Sequence, residues 1–193
     1  KQSHCLSYCG LDTQRFNQLD DSVIEALQIN KPFFISIATN TDVYKNAAAL
    51  IKLFDLHSSL FRVFNFVCLS DKFHQNPGIK WAPNVSEAQL TSLYRKSIGL
   101  IQPSLYEGFG LPVIEAMYHR KNVLACDNSA TSEIGLDNCV YFDPKDPDDL
   151  RDKIYEIHKG KHESKKESGF KRAVSFRPEA QGEKFNQIVN KLI

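Results

Sequence analysis

The run Gly99-Leu100-Ile101-Gln102-Pro103-Ser104-Leu105-Tyr106-Glu107-Gly108-Phe109-Gly110-Leu111-Pro112-Val113-Ile114-Glu115-Ala116-Met117 passes from a short apolar strand, through a glycine-bearing loop, into a helix. Pro112 suits a helix start because its φ is already fixed and its missing N–H is not needed there. Gly108 and Gly110 permit positive φ and let a ligand come close to the backbone. Free N–H groups at such a start, aligned with the helix dipole, make an anion site suited to a diphosphate. Glu115 lies about one turn into the helix, where its two acceptor oxygens suit a vicinal diol such as a ribose. Glu107 stands on the loop, on the other side of the phosphate cradle.

Outward from this run, apolar β-branched stretches at 33–38, 64–69, 79–82, 122–126 and 140–142 alternate with segments of helical period. A helix is expected from about Lys45, with Ala47, Leu50, Ile51 and Phe54 on one face. Another opens at Ser86-Glu87-Ala88-Gln89, a capping box, and carries Leu90, Leu93 and Tyr94. A fourth follows Asp146-Pro147 with Leu150, Ile154 and Ile157. The last runs from Pro178, with Phe185, Ile188, Val189 and Leu192 as its stripe. Strand and helix in alternation predict an α/β fold, a doubly wound parallel sheet of about six strands covered on both faces. Ligands of such sheets bind beyond the carboxyl ends of the strands, here at 39–45, 83–85, 103–110 and 127–133. Residues 1–30 differ: they are polar and turn-rich, with one short helix opened by Ser22-x-x-Glu25 as a capping box. They read as a linker arriving from elsewhere, and 31–193 as the ligand-binding domain.

The chain has 193 residues, enough for one α/β core. With 24 Lys+Arg against 23 Asp+Glu the net charge is +1, which does not support a dedicated nucleic-acid binder. Hydrophobic residues at 42% and charged residues at 24% are globular values that exclude disorder. No apolar run reaches the ~20 residues of a membrane span. Residue 1 is Lys, so the natural start is expected upstream. Cys68 and Cys126 sit in apolar runs, and the five cysteines contain no C-x-x-C pair. Reduced, structural thiols fit a cytoplasmic protein. Cys5 and Cys9 could pair or bind metal, but no second pair completes a zinc site, and the histidines lack ligand spacing; no metal is expected. The Lys-rich stretch 159–172 reads either as an anionic membrane or polyphosphate contact or as a solvated face, and the solvated face is preferred.

The central run resembles the Glu-x7-Glu motif of retaining glycosyltransferases with two Rossmann-like domains (the GT-B type), the large family 4 group, also called glycosyl transferases group 1. The resemblance extends over most of the chain. Tyr8-Cys9-Gly10-Leu11-Asp12-Thr13-Gln14-Arg15-Phe16 resembles the family's interdomain segment, Lys45-Asn46 the pair opening its first helix, and 85–94 the helix before the motif strand. Val140-Tyr141-Phe142-Asp143-Pro144 resembles the segment after its last common strand. The resemblance implies the C-terminal, donor-binding half of such an enzyme, with the N-terminal acceptor domain absent from this chain. It implies that Glu107 contacts the transferred sugar or reacting centre, and that the amides of Phe109, Gly110 and Leu111, next to Gly108, hold the diphosphate. Glu115 would bind the ribose, Lys45 would neutralise phosphate charge, and the 83–85 loop, Val85 included, would line the base.

No cofactor is implied beyond the nucleotide sugar, the donor substrate. Hexose transfer to a glycan or lipid-linked acceptor in surface polysaccharide biosynthesis is the expected function, in the cytoplasm, with peripheral contact at the inner face of the membrane. Two departures weigh on this: Ala38-Thr39 stands where the family usually has Gly-Arg, and His119-Arg120-Lys121-Asn122 replaces a Gly-x-Pro turn. Together with the absent half, they predict an inactive isolated domain. The alternative is a degenerate, non-catalytic nucleotide-sugar-binding or partner-binding module.

Overall fold

Successive residues of a strand point to opposite faces, so an apolar run can serve two cores at once. The computed structural model, which describes residues 8, 10–37, 43–70 and 78–190, shows this arrangement. The strands are β1 (Phe33–Ser36), β2 (Asn65–Cys68), β3 (Ile79–Trp81), β4 (Gly99–Gln102), β5 (Asn122–Cys126) and β6 (Val140–Phe142). They form one six-stranded sheet in the order β3-β2-β1-β4-β5-β6, with every pairing parallel. Ile35, Val67, Leu100, Val123 and Ala125 enter one core. Their neighbours Phe34, Phe66, Ile101, Leu124 and Cys126 enter the other. The doubly wound parallel sheet expected from the sequence is therefore the fold.

Helices cover both faces. On one side lie α2 (Ala47–Leu56) and α6 (Pro147–His158), which bury Leu50, Leu53 and Phe54 and Leu150, Ile154 and Ile157. Each such side chain contributes about 1.5–3 kcal/mol by leaving water. On the other side are α3 (Glu87–Lys96), α4 (Leu111–Tyr118), α5 (Ser129–Gly135) and α7 (Glu163–Val174). Ser86 and Gln89 form the capping box of α3, and the Asp146 carboxylate caps α6 through the amides of Asp148 and Asp149. The Lys-rich stretch is α7, which lies on α4 through its small residues: a Cβ on Gly169 would sit 3.2 Å from Met117. Gly169 and Ala173 are buried while the lysines stay on the outer surface or are half-buried.

Three expectations need correction. Ser22 does not cap the first helix, α1 (Ser22–Ala26): Asp21 holds the N-cap position without a side-chain capping bond, its carboxylate pairing with Lys96 instead, and the Ser22 hydroxyl accepts from the Gln89 amide at 3.1 Å. Residues 127–133 are not all loop, because Asn128 and Thr131 form a capping box that starts α5. The apolar stripe of the last helix, α8 (Pro178–Val189), packs only in part: Phe185 is exposed, Ile188 and Val189 are half-buried, Leu192 lies outside the described residues, and Gln181 is the buried residue of that helix. The segment before β1 adds Leu11, Phe16 and Val23 to the core. Cys5, Cys9 and Thr39 lie outside the described residues. Cys68, Cys126 and Cys139 are free, and burial pushes each thiol up to about 12.

His119 ends α4 with its ring edge-on to Phe16, centroids 4.7 Å apart, and stacked on Tyr94 at 5.4 Å. Burial pushes its pKa down to about 4, helped by the charges of Arg95, Lys121 and Arg15. The folded state thus keeps His119 neutral while the unfolded chain protonates it near 6.5. Stability linked to His119 is complete above that value and is lost as pH falls toward 4, on the order of 2 kcal/mol. Denaturant unfolding from pH 7 to pH 4.5 should show a shallower decline for His119→Gln than for the parent chain; parallel curves would refute this.

Candidate functional site

Strand order reverses between β1 and β4, and at such a point the loops leaving the two strands diverge and open a crevice at the carboxyl edge. Lys45 arrives from the β1 side in the turn Val43–Lys45, and Glu107 from the loop after β4. They meet there: Lys45 Nζ lies 2.9 and 3.1 Å from the two carboxylate oxygens of Glu107. Two backbone ties fix the loops to each other. The amide of Leu105 donates to the Tyr44 carbonyl at 2.8 Å, and the Asn46 side chain donates to the Pro103 carbonyl at 3.0 Å. Gln102, fully buried at the end of β4, donates to Glu107 Oε1 and to the Ser104 hydroxyl. The Glu107 carboxylate is thus held from two sides.

From Glu107 the chain turns through Gly108 and Gly110 into α4. Gly110 is the N-cap with φ +98°, a conformation that a side chain would strain. Nothing among the described residues, the adjoining ones apart, lies within 4 Å of the space that a Cβ on Gly108 or Gly110 would take. Among the described residues, no acceptor takes the backbone N–H of Phe109, Gly110 or Leu111. Phe109 braces this turn against Tyr8 and Phe176, each with ring centroids 6.0 Å away. The result is a braced, uncovered group of amide donors at a helix start, beside an ammonium and a carboxylate.

Glu115, one turn into α4, is set into the interior with both carboxylate oxygens already partnered. It is 4% exposed. Its Oε1 accepts from Arg15 and its Oε2 from the Tyr94 hydroxyl at 3.0 Å. Burial raises the pKa of Glu115, while the Arg15 charge and the Tyr94 bond pull it back. Burial also keeps Tyr94 a neutral donor, its pKa raised well above 10. Arg15 has a second partner, Glu87 at the start of α3, at 3.2 Å. Val85 stands some way off, with Ala82, Pro83 and Asn84, in the wall of an apolar cleft of about 390 Å³ whose other side is Val23, Ala26 and Leu27.

The structure therefore brings Lys45, Glu107 and the Gly108–Leu111 amides together, and it gives Glu115 and Val85 surroundings of their own. Sequence reasoning missed Gln102, Tyr94 and Arg15 as partners of the two carboxylates. Gln102 had a signal, a polar residue closing an apolar strand; the others did not. His119, Arg120 and Lys121 lie at the amino end of β5, where Arg120 pairs with Glu167 at 3.0 Å. Among the described residues, no three His, Cys, Asp or Glu side chains group so as to hold a metal.

Residues 21–173 match the family model described as glycosyl transferases group 1. The chain belongs to that family. Among curated relatives it is 33% identical over 97 residues to the serotype-specific mannosyltransferase WbdA of Escherichia coli, covering 48% of this chain and 12% of that protein. It is 39% identical over 62 residues to the O-antigen chain mannosyltransferase RfbU of Salmonella typhimurium, covering 32% of this chain and 18% of that one. The chain thus spans less than a fifth of either relative. Its fold matches the C-terminal domain of the group 1 protein LpcC from Francisella tularensis with a TM-score of 0.68 at 20% identity, over 86% of this chain and 97% of that one. The chain is a GT-B-type glycosyltransferase domain related to family 4 mannosyltransferases.

Proposed function

We propose that this chain is the donor-binding, C-terminal domain of a retaining hexosyltransferase. The complete enzyme would move a hexose from a nucleotide diphosphate sugar to a glycan or lipid-linked acceptor in surface polysaccharide assembly. The observation that carries the reading is the open group of amides at Phe109–Leu111, next to Lys45 and Glu107 at the crevice between β1 and β4. Amide donors and one ammonium suit a diphosphate without a metal. Glu107, on the far side of that cradle, reaches the sugar. The apolar cleft at Val85 takes the base. Ribose binds Glu115 through lone pairs that Tyr94 leaves unused, as Arg15 moves over to Glu87. The mannosyltransferase names of both relatives favour a hexose donor.

In this reading residues 1–30 lead in from an acceptor-binding domain, and 31–193 bind the nucleotide sugar. Without that partner domain one wall of the cleft is open, so the chain alone binds donor and transfers nothing. Three buried free thiols agree with a cytoplasmic setting.

The test is a nuclear magnetic resonance titration with a nucleoside diphosphate. The amides of Phe109, Gly110 and Leu111 should shift, magnesium should not be required, and Lys45→Ala should weaken binding about tenfold through one lost charge-assisted bond. A nucleoside diphosphate that leaves these amides unmoved at millimolar concentration overturns the reading. Binding with no transfer by the complete protein would favour the non-catalytic module instead.

A further inference from the structure

At the amino edge of the sheet, opposite the glycine loop, lies a second cleft of about 360 Å³. Its walls come from residues around the starts of three neighbouring strands. Lys31 precedes β1, Asn65 opens β2, Lys80 lies in β3, and Phe61 belongs to the turn Ser58–Arg62 that leads into β2. Gln28 and Asn30 add two more amides. Among the described residues, no carboxylate lines the cleft.

Two of the side chains here, Asn65 and Lys80, lack the partners expected of an inert surface. Asn65 is 5% exposed, and its Oδ1 is buried with no hydrogen-bond partner among the described residues. An orphan of this kind is destabilising unless something supplies a donor. Lys31 Nζ donates to the Phe61 carbonyl at 2.7 Å, which holds its ammonium against the wall. Lys80 has no ion pair among the described residues. Two ammonium groups, three amides and one aromatic ring therefore face a common space.

We propose that this cleft binds a small phosphomonoester that also carries hydroxyl groups, a sugar monophosphate in chemical class. A phosphate dianion matches the two lysines in charge and makes charge-assisted bonds with both. A sugar hydroxyl supplies the donor that Asn65 Oδ1 lacks, and Gln28 and Asn30 can donate to or accept from the remaining hydroxyls. The ring of Phe61 gives the sugar an apolar wall. The volume lies at the lower end of the range for ligand pockets, as a monosaccharide phosphate requires. Four residues of β2 separate the two edges by roughly 13 Å, so this site and the crevice at the carboxyl edge can be filled together.

The experiment titrates the chain with ribose 5-phosphate, inorganic phosphate and ribose, reading backbone amide shifts and calorimetric affinity. Ribose 5-phosphate should move the amides of Lys31, Asn65 and Lys80 and should bind about tenfold tighter than inorganic phosphate, through its extra hydroxyl bonds. Ribose alone should not bind measurably. Lys80→Gln, at a half-buried position where folding is readily checked by thermal unfolding, should weaken ribose 5-phosphate about tenfold, and Lys80→Arg should keep most of the affinity. A saturating nucleoside diphosphate should leave that affinity unchanged. Equal affinity for phosphate and ribose 5-phosphate, indifference to Lys80→Gln, shifts confined to Phe109–Leu111, or competition by the nucleoside diphosphate would each overturn the proposal. None of these outcomes depends on how the carboxyl edge binds its donor.

Discussion

Replacing Arg15 with alanine should cost about 2–4 kcal/mol of folding stability, at the lower part of the range for breaking a buried ion pair because Arg15 is itself partly exposed. Glu115 is nearly inaccessible, and Arg15 supplies the positive charge beside it. Without Arg15, Glu115 must either stay ionised with Tyr94 as its remaining donor or take up a proton. The second course gives a distinctive signature. Burial already raises the pKa of Glu115, and Arg15 is the leading influence holding it back. In Arg15→Ala the folded-state pKa should rise further above the unfolded value, so stability should fall as pH rises through the acidic range toward neutrality. Adding Glu115→Gln should recover part of the loss and remove that pH dependence. Denaturant unfolding at pH 5 and pH 8 measures both. A loss below about 0.5 kcal/mol would place the pair among the weak surface contacts.

Glu107 should behave in the opposite way. In a complete enzyme containing this domain, Glu107→Ala should lower turnover about 10²–10³-fold if the carboxylate serves the sugar. Nucleoside diphosphate affinity should be unchanged or should rise several-fold. The reason is local: Lys45 is paired with Glu107, and removing the carboxylate frees the ammonium for phosphate. Steady-state transfer assays and calorimetry on the same variant separate the two effects. A parallel loss of nucleotide binding would move Glu107 into the phosphate cradle and away from the sugar.

The strands were legible because their buried, β-branched runs have no other use in a chain of this polarity, and the parallel order followed from the alternation with helices. What escaped notice was structure held by polar or small residues. Helix α5 has no apolar period, and its capping box uses Thr131 where Glu or Gln is the usual signal. Helix α7 packs through Gly169 and Ala173, which leave no hydrophobic stripe among its lysines. The loop glycines and Glu107 announced the site, yet the partners of Glu115 did not announce themselves. Arg15 is 100 positions away in sequence, and only the sheet brings it near. The apolar stripe of α8 misled at Phe185 for the converse reason: periodicity shows that a face could be buried, not that this sheet has a surface to cover it.

That partly packed helix has a mechanical consequence. Gln181, the buried residue of α8, accepts the backbone amide of Tyr8 at 2.8 Å and donates to the Ser175 carbonyl at 2.7 Å. Tyr8 in turn braces Phe109 beside the glycine turn. With little apolar surface holding it, α8 belongs to the lower end of the local-stability scale and can detach while the sheet stays intact. Each detachment removes the Gln181 tie to the Tyr8 backbone and leaves Tyr8 held by its hydroxyl bond to Glu133 at 2.6 Å and by its contact with Phe176, centroids 5.3 Å apart. The rigidity of the amide donors is therefore leased in part from α8, so fraying of that helix reaches the loop after β4 through Gln181 and Lys184, which both meet Tyr8.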